Sequence, residues 1–203
     1  MTDKKLVFIG YSGHSFGCIE IAISQGYLID GYFDLKEKHN NFYNLRYLGS
    51  ETNINAENKP FLSIGNNNIR RKIYEMLSSK SIPLDTSIIH SNSIISKSSL
   101  INQQTLVNAG VIVNPQCTIG VGCILNTGSI IEHDCKVGEF SHIAPGAVLC
   151  GNVTIGKGSL IGANAVIKQG VSVGDNVTVG AGAVVTEDIN CNAIVVGNPA
   201  KPI

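Results

Sequence analysis

The residues best suited to chemistry form one short cluster in the second half of the chain. Glu132, His133, Asp134 and Lys136 lie within five positions, whereas the sequence on either side carries few charges. A histidine has an ordinary pKa of about 6.5, so a neutral imidazole can take a proton near neutral pH and act as a general base. A carboxylate beside it can fix its tautomer and stabilise the imidazolium that forms. The cluster predicts a catalytic His133 oriented by Asp134, with plain surface residues at a turn as the alternative.

The element that must hold this cluster is a six-residue repeat. From Ile89 to Val185 every sixth residue is aliphatic, at all seventeen positions. The residue two positions earlier is small or slim, and side chains two apart on a strand share a face, so both should point inward. Gly, Asn or Asp recurs three positions before the aliphatic residue, where a tight corner needs positive φ. A six-residue period predicts a β-helix with three hexads per coil and about five to six coils.

The first 84 residues predict a different architecture. Strands are expected over residues 5–9, 28–33 and 61–64, with helices running to about Gln25 and over residues 68–79. This order predicts a small Rossmann-like unit whose ligand lies at the carboxyl ends of the strands, with phosphate at a helix N-terminus. Gly10, Gly13 and Gly17 depart from G-x-G-x-x-G, which favours a shorter nucleotide ligand over a dinucleotide. The Asn-rich residues 36–59 are expected to be irregular.

Two polar residues of this unit are candidate ligand contacts. His14 lies where the first helix should begin, and its alternatives are helix capping or solvent exposure. Asp34 follows the second strand and could bind a ligand or merely end the strand. His39, among several asparagines, is interpreted as part of a surface loop.

Composition narrows the class of protein. The chain has 203 residues with 15 basic and 15 acidic side chains and no basic stripe, which argues against nucleic-acid binding. It has no apolar segment of about 20 residues, so no membrane span is expected, and its start does not resemble a signal peptide. Three of the six cysteines, Cys117, Cys123 and Cys135, fall at the inward small position of the repeat. We therefore expect free, structural cysteines and a cytoplasmic protein.

Four motifs together carry a family resemblance. They are GYSGH at residues 10–14, IGNNNIR at 64–70, IEHDCKVGEFSH at 131–142 and VGNPAK at 196–201. In this order they resemble the NeuD/PglD-like hexapeptide-repeat sugar acetyltransferases, most closely bacterial enzymes that acetylate the 4-amino group of a UDP-linked 4-amino-4,6-dideoxy sugar. The resemblance implies an α/β Rossmann-like domain over residues 1–84 that binds the nucleotide sugar. A left-handed parallel β-helix over residues 85–203 would carry the acetyltransferase site and a C-terminal tail, with the handedness taken from the resemblance.

The resemblance also implies roles for individual residues. Ser12, Gly13 and His14 would contact the nucleotide sugar, and Asp34 and Gly65 would bind its nucleotide end. His133 would be the catalytic base, and Asp134 stands where the family commonly has Glu, one methylene longer. In the same way His142 would lie near the acetyl-CoA thioester, and Ala163 and Ala181 would line the CoA groove.

The implied reaction is direct attack of a sugar amine on the thioester of acetyl-CoA, without an acyl-enzyme. Gly151, at a glycine-rich corner, could donate an N–H to the oxyanion, and the inward Cys135 is not expected to be a nucleophile. Family members form homotrimers with active sites between neighbouring subunits, so a homotrimer is expected here.

Several alternatives remain open at this point. The same chemistry could act on a dTDP- or GDP-linked amino sugar, or it could O-acetylate a sialic acid. A non-catalytic nucleotide-sugar-binding scaffold is an alternative of another class. A metal-dependent activity would need three histidine ligands from adjoining coils, and His90 lies too far along the stack from His133 and His142, so no metal is expected.

Overall fold

The computed structural model describes residues 5–203, which divide into two compact units between Ile88 and Ile89. In the first unit a parallel sheet of three strands has the order β2–β1–β3. The strands are β1 (Lys5–Ile9), β2 (Leu28–Phe33) and β3 (Pro60–Leu62), and the helices are α1 (Gly13–Ser24) and α2 (Asn67–Ser79). The first two strands have the predicted bounds. The third ends earlier than predicted, where the Ser63 hydroxyl lies 2.9 and 2.8 Å from the carbonyl oxygens of Ile9 and Gly10.

The segment expected to be irregular contributes to this sheet after all. Tyr32 donates its N–H to the carbonyl of Arg46, Leu48 donates to Tyr32, and Asp34 donates to Gly49. Residues 46–49 therefore run beside β2, and they come so close that a side chain at Gly31 would overlap the Arg46 carbonyl. A short 3-10 helix, Glu51–Asn53, follows directly. Glu51 is thereby brought to the carboxyl edge of the sheet.

The second unit is a parallel β-helix built almost entirely from strands of two residues. Its strands are β4 (Ile88–Ile89), β5 (Ile94–Ile95), β6 (Leu100–Ile101), β7 (Leu106–Val107), β8 (Ile112–Val113), β9 (Thr118–Ile119), β10 (Ile124–Leu125), β11 (Ile130–Ile131), β12 (Lys136–Val137), β13 (His142–Ile143), β14 (Val148–Leu149), β15 (Thr154–Ile155), β16 (Leu160–Ile161), β17 (Val166–Ile167), β18 (Ser172–Val173), β19 (Thr178–Val179), β20 (Val184–Val185), β21 (Ile194–Val196) and β22 (Lys201–Pro202).

These strands form the three faces of a prism. The first sheet contains β4, β7, β10, β13, β16, β19 and β21, with β22 antiparallel at its end; the second contains β5, β8, β11, β14, β17 and β20; the third contains β6, β9, β12, β15 and β18. From β5 to β20 paired residues are eighteen positions apart, as Ile130 and Val148 are and Lys136 and Thr154 are; at the end of the stack Thr178 pairs with Ile194, sixteen positions later. Three hexads per coil are therefore confirmed.

The interior of the prism has the predicted pattern of one aliphatic and one slim inward residue in each hexad. The aliphatic residues from Val107 to Val185 are fully buried, and the first three, Ile89, Ile95 and Ile101, are partly buried at the beginning of the stack. Hydroxyl and thiol groups at the slim position donate to carbonyls fifteen residues later: Ser99 to Asn114, Cys117 to Glu132, Cys135 to Cys150, Ser141 to Gly156, and Ser159 to Gly174. Such bonds satisfy polar groups that would otherwise be costly to bury.

The corners also follow the prediction, with three additions. The glycine, asparagine and aspartate corners from Gly122 to Gly182 all have positive φ. Gln104, Gln116 and Phe140 adopt the same conformation without belonging to the expected residue types. All six cysteines are free, as predicted. Across residues 5–203 no helix is both long and apolar enough to span a bilayer.

Substitutions at two glycines distinguish the effect of limited space on stability from the effect of backbone conformation. A Cβ at Gly138 would lie 2.6 Å from the backbone nitrogen of Lys157 in the next coil, whereas Gly128 has φ +67° but open space around it. We expect Gly138→Ala to destabilise the protein by about 3 kcal/mol through overpacking, and Gly128→Ala by about 1 kcal/mol through strain alone. Denaturant unfolding checks this order, and equal losses would contradict it.

Candidate active site

His133 and Asp134 occupy the corner between β11 and β12, referred to below as the His133 corner. The corner is held to both neighbouring coils, because Asp134 donates its N–H to Pro115 and the His133 carbonyl accepts the N–H of Asn152. Asp134 has φ +62°, and its Oδ2 lies 2.8 Å from His133 Nδ1. The shorter Asp thus reaches the ring. The two side chains are 54 % and 55 % exposed, so the dyad is open to a ligand.

The hydrogen bond determines which ring nitrogen can act as a base. An ionised carboxylate only accepts hydrogen bonds, so Nδ1 of His133 carries the proton and donates it to Asp134. The other nitrogen, Nε2, then keeps its lone pair. This is the arrangement in which an imidazole can remove a proton from an incoming nucleophile.

Gly151, at the same corner of the next coil, lies directly against the His133 imidazole. A Cβ at Gly151 would lie 2.6 Å from both Cε1 and Nε2 of His133, so any side chain there would displace the ring. Pro115 and Pro145 occupy the equivalent position of other hexads, and proline has no backbone N–H. The coil therefore does not need a hydrogen bond from the N–H at this position. The Gly151 N–H can therefore serve a ligand next to Nε2.

Cys135 lies next to the dyad in sequence but points into the prism. It is fully buried, and its thiol donates to the Cys150 carbonyl at 3.2 Å. Burial raises its pKa to about 12, so the thiolate is not formed near neutral pH. The prediction that Cys135 is no nucleophile agrees with this geometry.

The residues expected to contact CoA lie on other parts of the prism. His142 begins β13 in the first sheet, and its Nε2 accepts a hydrogen bond from the Asn126 amide at 3.1 Å. Ala163 and Ala181 stack at successive corners between the first and second sheets, where Gly182 donates its N–H to Ala163. His133 lies between the second and third sheets. The structure unites His133, Asp134 and Gly151, but within one chain it does not bring His142, Ala163 or Ala181 to them.

The first unit has a cavity of about 340 Å³ at the carboxyl edge of its sheet, referred to below as the edge cavity. Ser12, Asp34 and Gly65, which follow β1, β2 and β3, all line it, as the Rossmann-like pattern predicts. Much of the remaining wall is aliphatic, formed by Ile9, Leu35, Ile64, Ile69 and Ile73. Gly10 has φ +90° and its Cβ position lies 2.9 Å from Ile64, so only glycine suits this turn.

Asp34 is already engaged on both carboxylate oxygens. Oδ2 accepts the Tyr11 N–H at 3.0 Å, and Oδ1 lies 3.0 Å from the Lys38 ammonium. Asp34 thereby ties the glycine turn after β1 to the end of β2. The sequence pattern predicted the position of this acid but not its partners.

His14 is the second residue of α1 and packs beside Gly65, whose Cβ position lies 3.6 Å from the His14 ring. Burial, and next the positive charge of Arg70, lower the pKa of His14 to about 4, so it is neutral at neutral pH. Gly13 opens the helix with free space around it.

Arg70 is the residue of this unit whose role sequence reasoning missed. It is 1 % exposed, and its guanidinium donates to the carbonyls of Ile64 and Gly65 and to the Asn67 side chain. These bonds hold the loop between β3 and α2, which lines the edge cavity. The sequence feature that could have indicated this role is the motif IGNNNIR, because its arginine falls on a helix face that is otherwise apolar.

Comparisons with known proteins assign the chain to a family. Residues 5–77 match the model of the PglD N-terminal domain, and residues 152–187 match the hexapeptide repeat of succinyl-transferase. The acetyltransferase domain of PglB from Neisseria gonorrhoeae is 35 % identical over 98 % of this chain and 100 % of its own, with a TM-score of 0.91. The same domain in complex with acetyl coenzyme A is 34 % identical over 99 % of this chain and 100 % of its own, with a TM-score of 0.90.

A third structure is more distant in sequence. PerB from Caulobacter crescentus, in complex with CoA and GDP-perosamine, is 28 % identical over 98 % of this chain and 97 % of its own, with a TM-score of 0.89. A search of curated proteins found no match.

The chain belongs to the PglD-type hexapeptide-repeat sugar acetyltransferases. This membership confirms the predicted fold class, a Rossmann-like α/β domain followed by a left-handed parallel β-helix. It also confirms the predicted enzyme class, the acetyl-CoA-dependent nucleotide-sugar acetyltransferases.

The lowered pKa of His14 gives a test of its burial. The unfolded chain protonates this histidine near pH 6.5 but the folded chain only near pH 4, so the unfolded state binds more protons between these values. Stability should therefore fall as the pH drops from about 6.5 to about 4.

We expect His14→Asn to weaken this fall by about a few degrees in Tm, whereas His39→Asn, at an exposed histidine, should leave it unchanged. Melting curves across this pH range check the difference. Parallel curves for wild type and His14→Asn would contradict it.

Proposed function

We propose that the protein transfers the acetyl group of acetyl-CoA to the 4-amino group of a nucleotide-linked 4-amino-4,6-dideoxy sugar, with UDP as the expected nucleotide. The observation that carries this proposal is the His133–Asp134 dyad, whose imidazole is exposed, packs over Gly151 and has Nε2 available as an acceptor. The named activity of a similar protein, perosamine N-acetyltransferase, supports an amine acceptor. The acetyl-CoA complex of the PglB domain supports the donor.

The dyad accounts for each proton of the reaction. Nε2 of His133 takes a proton from the sugar amine as the nitrogen attacks the thioester carbonyl carbon. The Gly151 N–H donates to the oxyanion that develops on the carbonyl oxygen. The intermediate then collapses, the C–S bond breaks, and the proton on Nε2 passes to the leaving sulfur. Amide and CoA thiol are released and His133 returns to its neutral form, with Asp134 stabilising the intervening imidazolium.

The nucleotide sugar would be held by the edge cavity. The first N–H groups of α1, at Gly13 and His14, form an anion site of the kind that binds phosphate. Ser12 and Gly65 line the same cavity. Because His14 is neutral there, it would act as a hydrogen-bonding partner and not as a cation. This assigns nucleotide-sugar binding to residues 1–84 and acetyl transfer to residues 85–203.

A second copy of the chain would complete the acetyl-CoA site. His142, Ala163 and Ala181 lie away from the His133 corner within one chain, so a neighbouring chain is needed to supply them to it. The second sheet favours such packing, since its outward row is half-buried and aliphatic: Ile112, Ile130, Val148, Val166 and Val184. From β9 onward the outward row of the third sheet is polar and exposed: Thr118, Lys136, Thr154 and Ser172. We propose a homotrimer packed through the second sheet.

Thiol release from acetyl-CoA with UDP-, dTDP- and GDP-linked 4-amino sugars tests the reaction directly. Turnover is expected with at least one, and with the UDP-linked sugar foremost. Turnover only with a sialic acid would favour O-acetylation. Binding of nucleotide sugars without any thiol release would favour the non-catalytic scaffold.

Substitutions at the His133 corner test the dyad. His133→Ala should lower kcat by about a hundred- to ten-thousand-fold, because the general base is lost. Gly151→Ala should lower kcat by about tenfold or more by displacing the ring, and Asp134→Asn should do so by removing the carboxylate that orients it. His90→Ala is the matched control and should retain wild-type turnover. Undiminished activity of His133→Ala would exclude His133 as the base.

Charge on the second sheet tests the assembly. We expect Ile112→Lys to convert a trimer into monomers, because the lysines would be buried in each interface. Thr118→Lys, on the exposed third sheet, should leave the trimer intact. Light scattering coupled to size-exclusion chromatography measures both, and a monomeric wild-type protein would refute the trimer.

A further inference from the structure

One acidic side chain of the edge cavity has no assigned role. Glu51 lines the cavity and is half-buried. Within residues 5–203 its carboxylate forms no hydrogen bond or ion pair, in contrast to Asp34, which uses both oxygens. A carboxylate in this position can accept hydrogen bonds from a ligand at the cost only of the water it displaces. Glu51 is therefore a candidate binding group on the cavity wall.

The fold places Glu51 where a Rossmann-like site needs an acid. Residues 46–49 extend the sheet beside β2, and Glu51 follows at the carboxyl end of this extension. In Rossmann sites an acid at the carboxyl end of a strand accepts hydrogen bonds from the ribose hydroxyls. Asp34 holds the corresponding position after β2, but its oxygens already bind Tyr11 and Lys38. Within residues 5–203, Glu51 is the acid of this cavity whose two oxygens are both free of protein partners.

The chemistry of the cavity limits what Glu51 can bind. An ionised carboxylate has two acceptor oxygens and no donor, so it is complementary to a ligand with two adjacent donors. The vicinal 2′ and 3′ hydroxyls of a ribose offer two such donors. The aliphatic wall formed by Ile64, Ile69 and Ile73 suits the faces of the ribose and the base.

We propose that Glu51 binds the 2′ and 3′ hydroxyls of the nucleotide ribose and so selects ribonucleotide sugars over dTDP-linked ones. This inference rests on the proposed function, because it concerns the nucleotide of the same substrate. A 2′-deoxy ligand leaves one carboxylate oxygen without its donor. Hydrogen bonds to a charged group are strong enough to make this loss about tenfold or more in affinity.

The experiment pairs a change in the protein with a change in the ligand. Full-length protein is titrated calorimetrically with UDP, 2′-deoxy-UDP, GDP and 2′-deoxy-GDP. The wild type should bind a ribonucleotide at least about tenfold more tightly than its deoxy partner. In Glu51→Ala this ratio should fall to about one, mainly through weaker ribonucleotide binding. Glu57→Gln, at an exposed acid outside the cavity, should keep the wild-type ratio, and melting curves verify that each variant folds.

The outcomes separate this inference from the proposed function. A ribose preference that survives in Glu51→Ala overturns the inference, as does a wild-type ratio near one in a protein that still releases thiol with nucleotide sugars. If Glu51→Ala instead abolishes a preference for GDP over UDP and keeps the ribose preference, Glu51 contacts a guanine edge and the inference is wrong. If the wild type binds none of the four nucleotides and releases no thiol, the proposed function fails as well.

Discussion

The backbone pairing of residues eighteen apart is the constraint on which the β-helix depends. Almost every strand contributes only two residues, so stability comes from stacking similar coils and not from any single element. This register places Gly151 directly over His133 and ties the corner to the coils on both sides through Pro115 and Asn152. An exposed imidazole is thus held by rigid backbone, as the proposed role of His133 as a general base requires.

The two units use opposite means to prepare a binding surface. The β-helix is nearly uncharged inside, and several of its inward hydroxyl and thiol groups donate to carbonyls of the next coil, whereas the buried Ser129 hydroxyl has no partner within residues 5–203. The first unit buries a complete cation, Arg70, under its binding loop and keeps His14 neutral beside it. One unit positions a reactive group on a stiff frame, and the other collects hydrogen-bonding groups at the edge of a sheet where strands end.

Much of the fold could be predicted because the six-residue period indicates which residues point inward and which form the corners. The inward aliphatic and slim positions, the corners of glycine, asparagine and aspartate, and the strands Lys5–Ile9 and Leu28–Phe33 all follow from local pattern. Left-handed corners at Gln104 and Phe140 could not be predicted, because pairing with the neighbouring coils imposes them against residue preference. The strand-like course of residues 46–49 depends on bonds to Tyr32 that leave no signal in an Asn-rich segment.

The sequence by itself determined the chemical inventory: a histidine with an adjacent carboxylate, a glycine turn after a strand, and the period of the coil. Only the tertiary structure decided which of these groups are available. It showed that Asp134 reaches the ring and that both oxygens of Asp34 have protein partners. Within residues 5–203 it gave Glu51 no such partner, and it placed His142 away from His133 in one chain. The reason is physical. Availability depends on distances between residues far apart in sequence, and periodicity and residue type carry no information about those distances.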